Sequence, residues 1–163
     1  MTVDFFKVIC QEPLRKDFEF GLCDDNNGQK AYTNIDDPEK WIAKVKNDNK
    51  KELVFTAIDK CIINDEEHIG RGRCDGMLTS DEHLFFVELK DKLPPWQTEA
   101  KVQLESTVQF FIESHDASVF KHKKIFACNK KAKKFIEIDN EENLKFFRKY
   151  KFRIDLQNVL LVI

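Results

Sequence analysis

Near the middle of the chain stands the run His83-Leu84-Phe85-Phe86-Val87-Glu88-Leu89-Lys90. It is short, rich in aromatic and β-branched residues and free of Gly and Pro, which predicts a strand buried on both faces. Side chains alternate across a strand, so Leu84, Phe86, Glu88 and Lys90 share one face. Two charged residues therefore lie at the carboxyl end of a strand face that is otherwise apolar. Because a buried, unpaired charge is costly, we expect these groups to have an ionic partner or a metal.

A second acid precedes this run. The segment 70–78 predicts the preceding strand and contains Arg73-Cys74-Asp75-Gly76. Polar residues 79–82 link the two strands, and a hairpin is the economical connection. A loop centred between Asp81 and Glu82 sets Asp75 opposite Glu88, with their Cβ atoms about 5 Å apart. A register shifted by one residue would instead send Asp75 to the other face.

Two carboxylates that close together repel unless a cation lies between them. Asp75 and Glu88 would offer hard oxygen ligands to Mg²⁺ or Mn²⁺, which keeps several waters and also binds phosphate. The backbone carbonyl of Leu89 is a further candidate ligand. Lys90 would hold an attacking water or stabilise negative charge, and we expect its pKa to be lowered by nearby cations and burial. The alternative is an unrelated α/β protein in which this lysine forms a surface ion pair.

The elements around these strands follow a definite order. Asp37-Pro38 predicts the N-cap and first turn of a short amphipathic helix over 39–46. A strand is predicted over 52–58, and in a longer interpretation it runs on to Ile63. Apolar residues at helical spacing over 96–114 predict the clearest helix, and 124–128 predicts another strand. The order is helix, strand, strand, strand, helix, strand.

With these residues in this order, the chain resembles the PD-(D/E)xK nuclease superfamily, also called restriction endonuclease-like, over residues 37–129. The resemblance implies an α/β fold with an αβββαβ core, a mixed central sheet and flanking helices. It places Asp75 on the second core strand and the Glu88–Lys90 motif on the third. It also implies a supporting glutamine on the following helix, where Gln103 fits, and an acid on the first helix. Glu39 is the first candidate for that acid and Glu52 the second.

The implied activity is that of an Mg²⁺-dependent endodeoxyribonuclease that hydrolyses phosphodiester bonds of DNA, with RNA left open as a substrate. The alternative is a catalytically inactive binding or regulatory module with the same fold. A chain of 163 residues suits a single domain, 1–163. Since it has little room for a separate recognition domain, we expect a homodimer, a subunit of a larger nucleic-acid-processing system, or an enzyme that recognises DNA structure.

Basic residues provide candidate nucleic-acid contacts. The net charge of −2 does not itself indicate a nucleic-acid partner. Arg71 and Arg73 stand beside Asp75, and lysines bracket the strand after the long helix. These lysines are Lys121, Lys123, Lys124, Lys130, Lys131, Lys133 and Lys134. Such side chains would neutralise phosphates and make binding salt-dependent. The alternative for the lysines is a solvated edge that discourages aggregation.

The flanks predict smaller additions to the core. Apolar stretches over 5–10 and 18–23 predict an N-terminal β-hairpin. Asp139 begins a capping box before a predicted C-terminal helix, and 158–163 predicts a final strand that joins the sheet or a partner chain.

The cysteine content and the apolar segments bear on the location of the protein. Five widely spaced cysteines predict reduced thiols and a cytoplasmic protein. The first seven residues lack the form of a signal peptide. No apolar run approaches the roughly 20 residues of a membrane span, so we expect no membrane partner.

Overall fold

The computed structural model describes residues 2–68, 70–132 and 138–163. The helices are α1 (Gln97–Ser114) and α2 (Asn140–Tyr150). The strands are β1 (Glu19–Cys23), β2 (Tyr32–Asn34), β3 (Ala43–Lys46), β4 (Val54–Ala57), β5 (Gly76–Thr79), β6 (His83–Lys90), β7 (His122–Asn129), β8 (Arg153–Asp155) and β9 (Val159–Leu161). Short 3-10 turns cover Val8–Cys10, Pro38–Lys40 and Ala117–Val119.

The strands form two mixed sheets. The larger sheet has the order β4-β5-β6-β7-β8, in which β4, β5 and β6 are antiparallel while β7 and β8 run parallel to β6. The smaller sheet has the order β2-β1-β3-β9. The prediction of an α/β fold with a mixed central sheet is therefore confirmed. Membership of the restriction endonuclease-like fold stays a prediction.

Strand β6 is the centre of the larger sheet and is buried on both faces, as its sequence predicts. Leu84 and Phe86 belong to the apolar core that includes the inward face of α1. Phe85, Val87 and Leu89 belong to a second core shared with the smaller sheet. The molecule thus has three layers, helices on sheet on sheet. The predicted flanking helices lie on one face of the larger sheet, and the smaller sheet covers the other face.

The predicted helix over 39–46 is the largest error in the fold prediction. Asp37-Pro38 does begin a helical turn, but that turn ends at Lys40 and β3 follows. In β3, Ala43 and Val45 are buried, and the strand pairs with β1 on one side and β9 on the other. These two long-range pairings outweigh the weak local helical signal. The predicted αβββαβ order therefore lacks its first helix, whereas β4-β5-β6-α1-β7 follows the predicted order.

Two predicted strands are shorter than expected. The strand predicted over 52–58 is β4, which ends at Ala57, and a turn rather than a longer strand leads to Ile63. Lys60 in this turn has a left-handed backbone with φ of 71°. The strand predicted over 70–78 begins at Gly76, so Asp75 lies immediately before the regular part of β5.

The N-terminal flank differs from its prediction, whereas the C-terminal helix begins as predicted. An N-terminal hairpin exists, but it pairs β1 with β2, and residues 5–10 contain the 3-10 turn Val8–Cys10 and no strand. At the other end, Asp139 caps α2 by accepting a hydrogen bond from the backbone N–H of Glu142, as predicted. Strand β9 joins the smaller sheet beside β3. Strand β8 was not predicted.

Two of the five cysteines contradict the expectation of reduced thiols. Cys10 and Cys61 form a disulfide across 51 residues of sequence, while Cys23, Cys74 and Cys128 are free and buried. Disulfides are typical of oxidising compartments, so this bond counts against the cytoplasmic prediction. Within the described residues, no helix combines the length and apolar character that crossing a membrane requires.

Candidate functional site

The hairpin register predicted from the sequence is confirmed. Gly76 pairs with Val87 and Thr79 with Leu84, so the next pair outward is Asp75 opposite Glu88. Asp75 stays attached to the sheet because its N–H donates to Val87 and its carbonyl accepts from Ile58. Both carboxylates line one cleft of about 430 Å³. This placement matches a joint site rather than an isolated ion pair on the surface.

Both carboxyl groups are nearly inaccessible to solvent. Asp75 is 9% exposed and Glu88 is 3% exposed. Burial, and then the charge of Glu88, raise the pKa of Asp75 well above its ordinary value, although the N–H of Leu89 donates to Asp75 Oδ2 at 2.6 Å. Burial likewise raises the pKa of Glu88 to about 6, even though Lys90 opposes the shift. Glu88 therefore destabilises the charged form of Asp75, whereas a side-chain hydrogen bond with Asp75 opposes the rise in the pKa of Glu88.

Lys90 completes the set of residues predicted from the motif. Its Nζ lies 3.0 Å from Glu88 Oε2 and donates to Glu99 Oε1 and Gln103 Oε1, both at 3.1 Å. Gln103 therefore faces the site from α1, as the resemblance implies. Burial opposes the charge of Lys90, but Glu88 and Glu99 together raise its pKa above the ordinary value. The expectation of a lowered pKa for Lys90 is therefore wrong, because the carboxylates around it favour the ammonium form.

Helix α1 also holds the segment that carries Asp75. The backbone N–H of Cys74 donates to Thr107 Oγ1 at 2.9 Å, and that hydroxyl donates to the carbonyl of Gln103 at 2.8 Å. The N–H of Gly72 donates to Ser106 Oγ. Thr107 is fully buried. One helix therefore fixes the backbone before Asp75 and the glutamine that contacts Lys90.

Neither acid expected from the first helix lines this cleft. Glu39 lies in a neighbouring depression, and Glu52 lines a different one beside β4 and β5. This difference follows from the absence of the helix over 39–46. Asp24 and Asp59 line the cleft instead, from the loops after β1 and β4. Asp24 also contributes to the raised pKa of Asp75, after burial and Glu88.

Sequence reasoning missed these two aspartates and Glu99. Asp24 belongs to Asp24-Asp25-Asn26-Asn27-Gly28, which reads as a turn and carries no signal of a site. Asp59 directly follows an apolar strand that neighbours the strand of Asp75, so its position at a strand end was a usable signal. Glu99 lies four residues before Gln103, which places both on one face of α1. That spacing would have found Glu99.

The residues present fit a hard divalent cation. Glu88 Oε1 is buried and has no hydrogen-bond partner among the described residues. A bound cation would satisfy this oxygen and would favour ionisation of both carboxyl groups in the cleft. In the described part of the chain, no three His, Cys, Asp or Glu side chains are grouped as a metal cage. Carboxylate oxygens are hard ligands, so the pair Asp75 and Glu88 suits an ion such as Mg²⁺, which binds through one or two carboxylates and retains waters.

The two arginines predicted to meet phosphates are engaged with acids. Arg73 lines the cleft, but it pairs with Asp59 and Asp65, each at 2.7 Å. Arg71 pairs with Glu113 at 3.1 Å and lies over the ring of Phe110. Phosphate contacts from these arginines would require exchange of these partners.

The predicted lysines do not form one patch. Strands β6 and β7 are in register, with His83 beside His122 and Lys90 beside Asn129. Lys130 and Lys131 follow the end of β7 near the cleft, where Lys131 lies 3.9 Å from Asp91. The other described lysines, Lys121, Lys123 and Lys124, belong to the opposite end of the sheet. Lys133 and Lys134 lie outside the described residues.

Comparison with known proteins adds no relative to this description. No protein-family model matches the chain, and no curated protein or solved structure is significantly similar to it. We therefore infer the function from the residues of the cleft and their chemistry.

Proposed function

We propose that the protein is a metal-dependent nuclease that hydrolyses phosphodiester bonds of DNA. The observation that carries the proposal is the buried pair Asp75 and Glu88 in one cleft, where Glu88 Oε1 has no hydrogen-bond partner among the described residues. A protein would gain stability by avoiding such a pair, so the retained charges suggest a cation-binding role. The resemblance in motif and strand order supports the same reaction class.

The acidic residues of the cleft would hold the metal ion. Asp75 and Glu88 would hold Mg²⁺ or Mn²⁺, with the Leu89 carbonyl as a further candidate and Asp24 and Asp59 as nearby acids. When bound, such an ion polarises the phosphate and lowers the pKa of a coordinated water. The carboxylates must be ionised to bind the ion, so binding would release protons where their raised pKa values keep them protonated.

Lys90 would act as a fixed positive charge. Its raised pKa keeps the ammonium protonated near neutral pH, which suits stabilisation of negative charge on the phosphate better than proton abstraction. Gln103 and Glu99 hold its Nζ from α1 and so would act as positioning residues. We further propose that the chain acts on DNA as a homodimer or within a larger system. A cytoplasmic location would require the Cys10–Cys61 bond to persist there.

A plasmid-nicking assay tests this proposal. We expect nicking with Mg²⁺, none with EDTA, and a loss of about 100-fold or more in Asp75→Asn and Lys90→Met. Lys101→Met is the matched control, because Lys101 lies on α1 and pairs with Glu142 away from the cleft. Equal activity in all four proteins would refute the site assignment. Absence of nicking, with Mn²⁺ bound by the wild type, would favour the inactive binding module.

A further inference from the structure

A basic surface lies at the end of the larger sheet opposite the cleft. We call it the basal groove, an open depression of about 550 Å³. It is lined by five cationic side chains, namely Lys121, Lys123, Lys124, Lys151 and Arg153. They come from the start of β7, the residue after α2 and the start of β8. The fold thus gathers charges that are 32 residues apart in the sequence.

The basal groove is separate from the cleft. His122 stands beside His83 at one end of the paired strands, and Asn129 stands beside Lys90 at the other. Seven residue steps at the rise of a β-strand give about 23 Å between the two ends. A small ligand in the basal groove therefore does not contact Asp75 or Glu88 directly, whereas an extended ligand is long enough to reach both surfaces.

Two of the five charges in the basal groove lie beside an aromatic side chain. The Arg153 guanidinium lies 4.4 Å from the centre of the Phe147 ring, and Lys151 Nζ lies 5.7 Å from it. Lys124 pairs with Asp155 at 3.1 Å, and Lys123 Nζ donates to the carbonyl of Phe120. Lys121 and Arg153 are exposed. Cations spread over three elements suit several phosphates in a row better than one small anion.

We propose that the basal groove binds the phosphate backbone of a duplex nucleic acid, as an anchoring site distinct from the cleft. The choice of nucleic acid as the polyanion rests on the proposed function. The presence of the site does not, since it follows from the clustered charges. β8 is the last strand of the larger sheet, so an extended ligand can pass along this edge.

Binding of a labelled DNA duplex in EDTA, measured by fluorescence anisotropy over a salt series, tests the proposal. We expect Lys121→Gln/Arg153→Gln to weaken binding about tenfold or more at low salt. The slope of log affinity against log salt should fall by about 2, since each lost phosphate contact contributes about 0.9. Lys121→Gln/Lys151→Gln should behave alike and leaves the Arg153–Phe147 contact in place. The control Lys7→Gln/Lys16→Gln removes the same charge from exposed sites that line neither surface.

Unchanged DNA affinity in both groove variants, or equally weakened affinity in the control variant, would refute the proposal that the basal groove binds the phosphate backbone. A second assay tests the nuclease proposal independently of DNA binding by the basal groove. Hydrolysis of bis(p-nitrophenyl) phosphate, which is too small to span both surfaces, should be the same in wild type and groove variants. Suppose that the wild type and all variants fail to hydrolyse this compound while the groove variants bind DNA more weakly than the wild type does. In that case the nuclease proposal is refuted, and the proposal that the basal groove binds DNA is retained.

Discussion

Replacing Glu88 by glutamine should stabilise the metal-free protein. The substitution removes a buried charge but keeps the side-chain shape, and its carbonyl can still accept from Lys90 Nζ. Burial raises the pKa of Glu88 from 4.5 to about 6. A difference of roughly 1.5 units corresponds to about 2 kcal/mol at neutral pH, where the ionised carboxylate destabilises the folded state by that amount.

The pH dependence has a definite sign. The folded protein binds the Glu88 proton more tightly than the unfolded chain between pH 4.5 and about 6. Stability is therefore lost as the pH rises through this window and levels off above it. The advantage of Glu88→Gln should accordingly shrink from about 2 kcal/mol near pH 7.5 to under about 1 kcal/mol near pH 5.

Urea unfolding in EDTA at these two pH values measures the effect. For a domain of this size, the same change would appear as a rise of about 4–8 °C in the thermal midpoint near pH 7.5. Glu99→Gln is the matched control, since Glu99 is exposed and Lys92 and Lys90 lower its pKa, so no gain is expected. Unchanged or reduced stability of Glu88→Gln at the higher pH would refute the claim that this carboxylate is held at an energetic cost.

Three further substitutions test the supporting structure by urea or thermal unfolding. Thr107→Val leaves the Cys74 N–H buried without its acceptor and should cost about 1–3 kcal/mol; no loss would remove Thr107 from the support of Asp75. Cys10→Ser opens a bridge across 51 residues and should cost about 4 kcal/mol, and the variant should not respond to a reducing agent. Gly76→Ala places a Cβ 2.4 Å from the Phe55 ring and should cost about 1–3 kcal/mol, part of which Phe55→Leu should restore.

The strand and hairpin at the site could be predicted because their signals are local. Eight residues free of Gly and Pro, seven of them buried, define β6, and an even loop fixes which residue faces Glu88. Helix α1 was equally readable, because its buried positions recur at helical spacing over 18 residues. These elements carry Asp75, Glu88, Lys90 and Gln103, so the centre of the candidate site followed from short stretches of sequence.

The remaining parts depend on contacts between distant segments. Residues 43–46 become a strand because β9, more than 110 residues later, pairs with one of its edges. Asp24 and Asp59 enter the cleft from two loops that the sheet arrangement brings together. The Cys10–Cys61 bond likewise joins an N-terminal turn to the loop after β4. The spacing of residues along the chain predicts none of these three long-range contacts.

Calorimetric titration with Mn²⁺ tests most directly whether Asp75 and Glu88 form a cation site. Near pH 7.5, where Glu88 is ionised, the wild type should bind Mn²⁺ with measurable heat. Glu88→Gln should bind at least about tenfold more weakly, because it loses one of two carboxylate ligands, while Glu99→Gln should match the wild type. The absence of Mn²⁺ binding by the wild type, or equal binding by Glu88→Gln, would contradict the account.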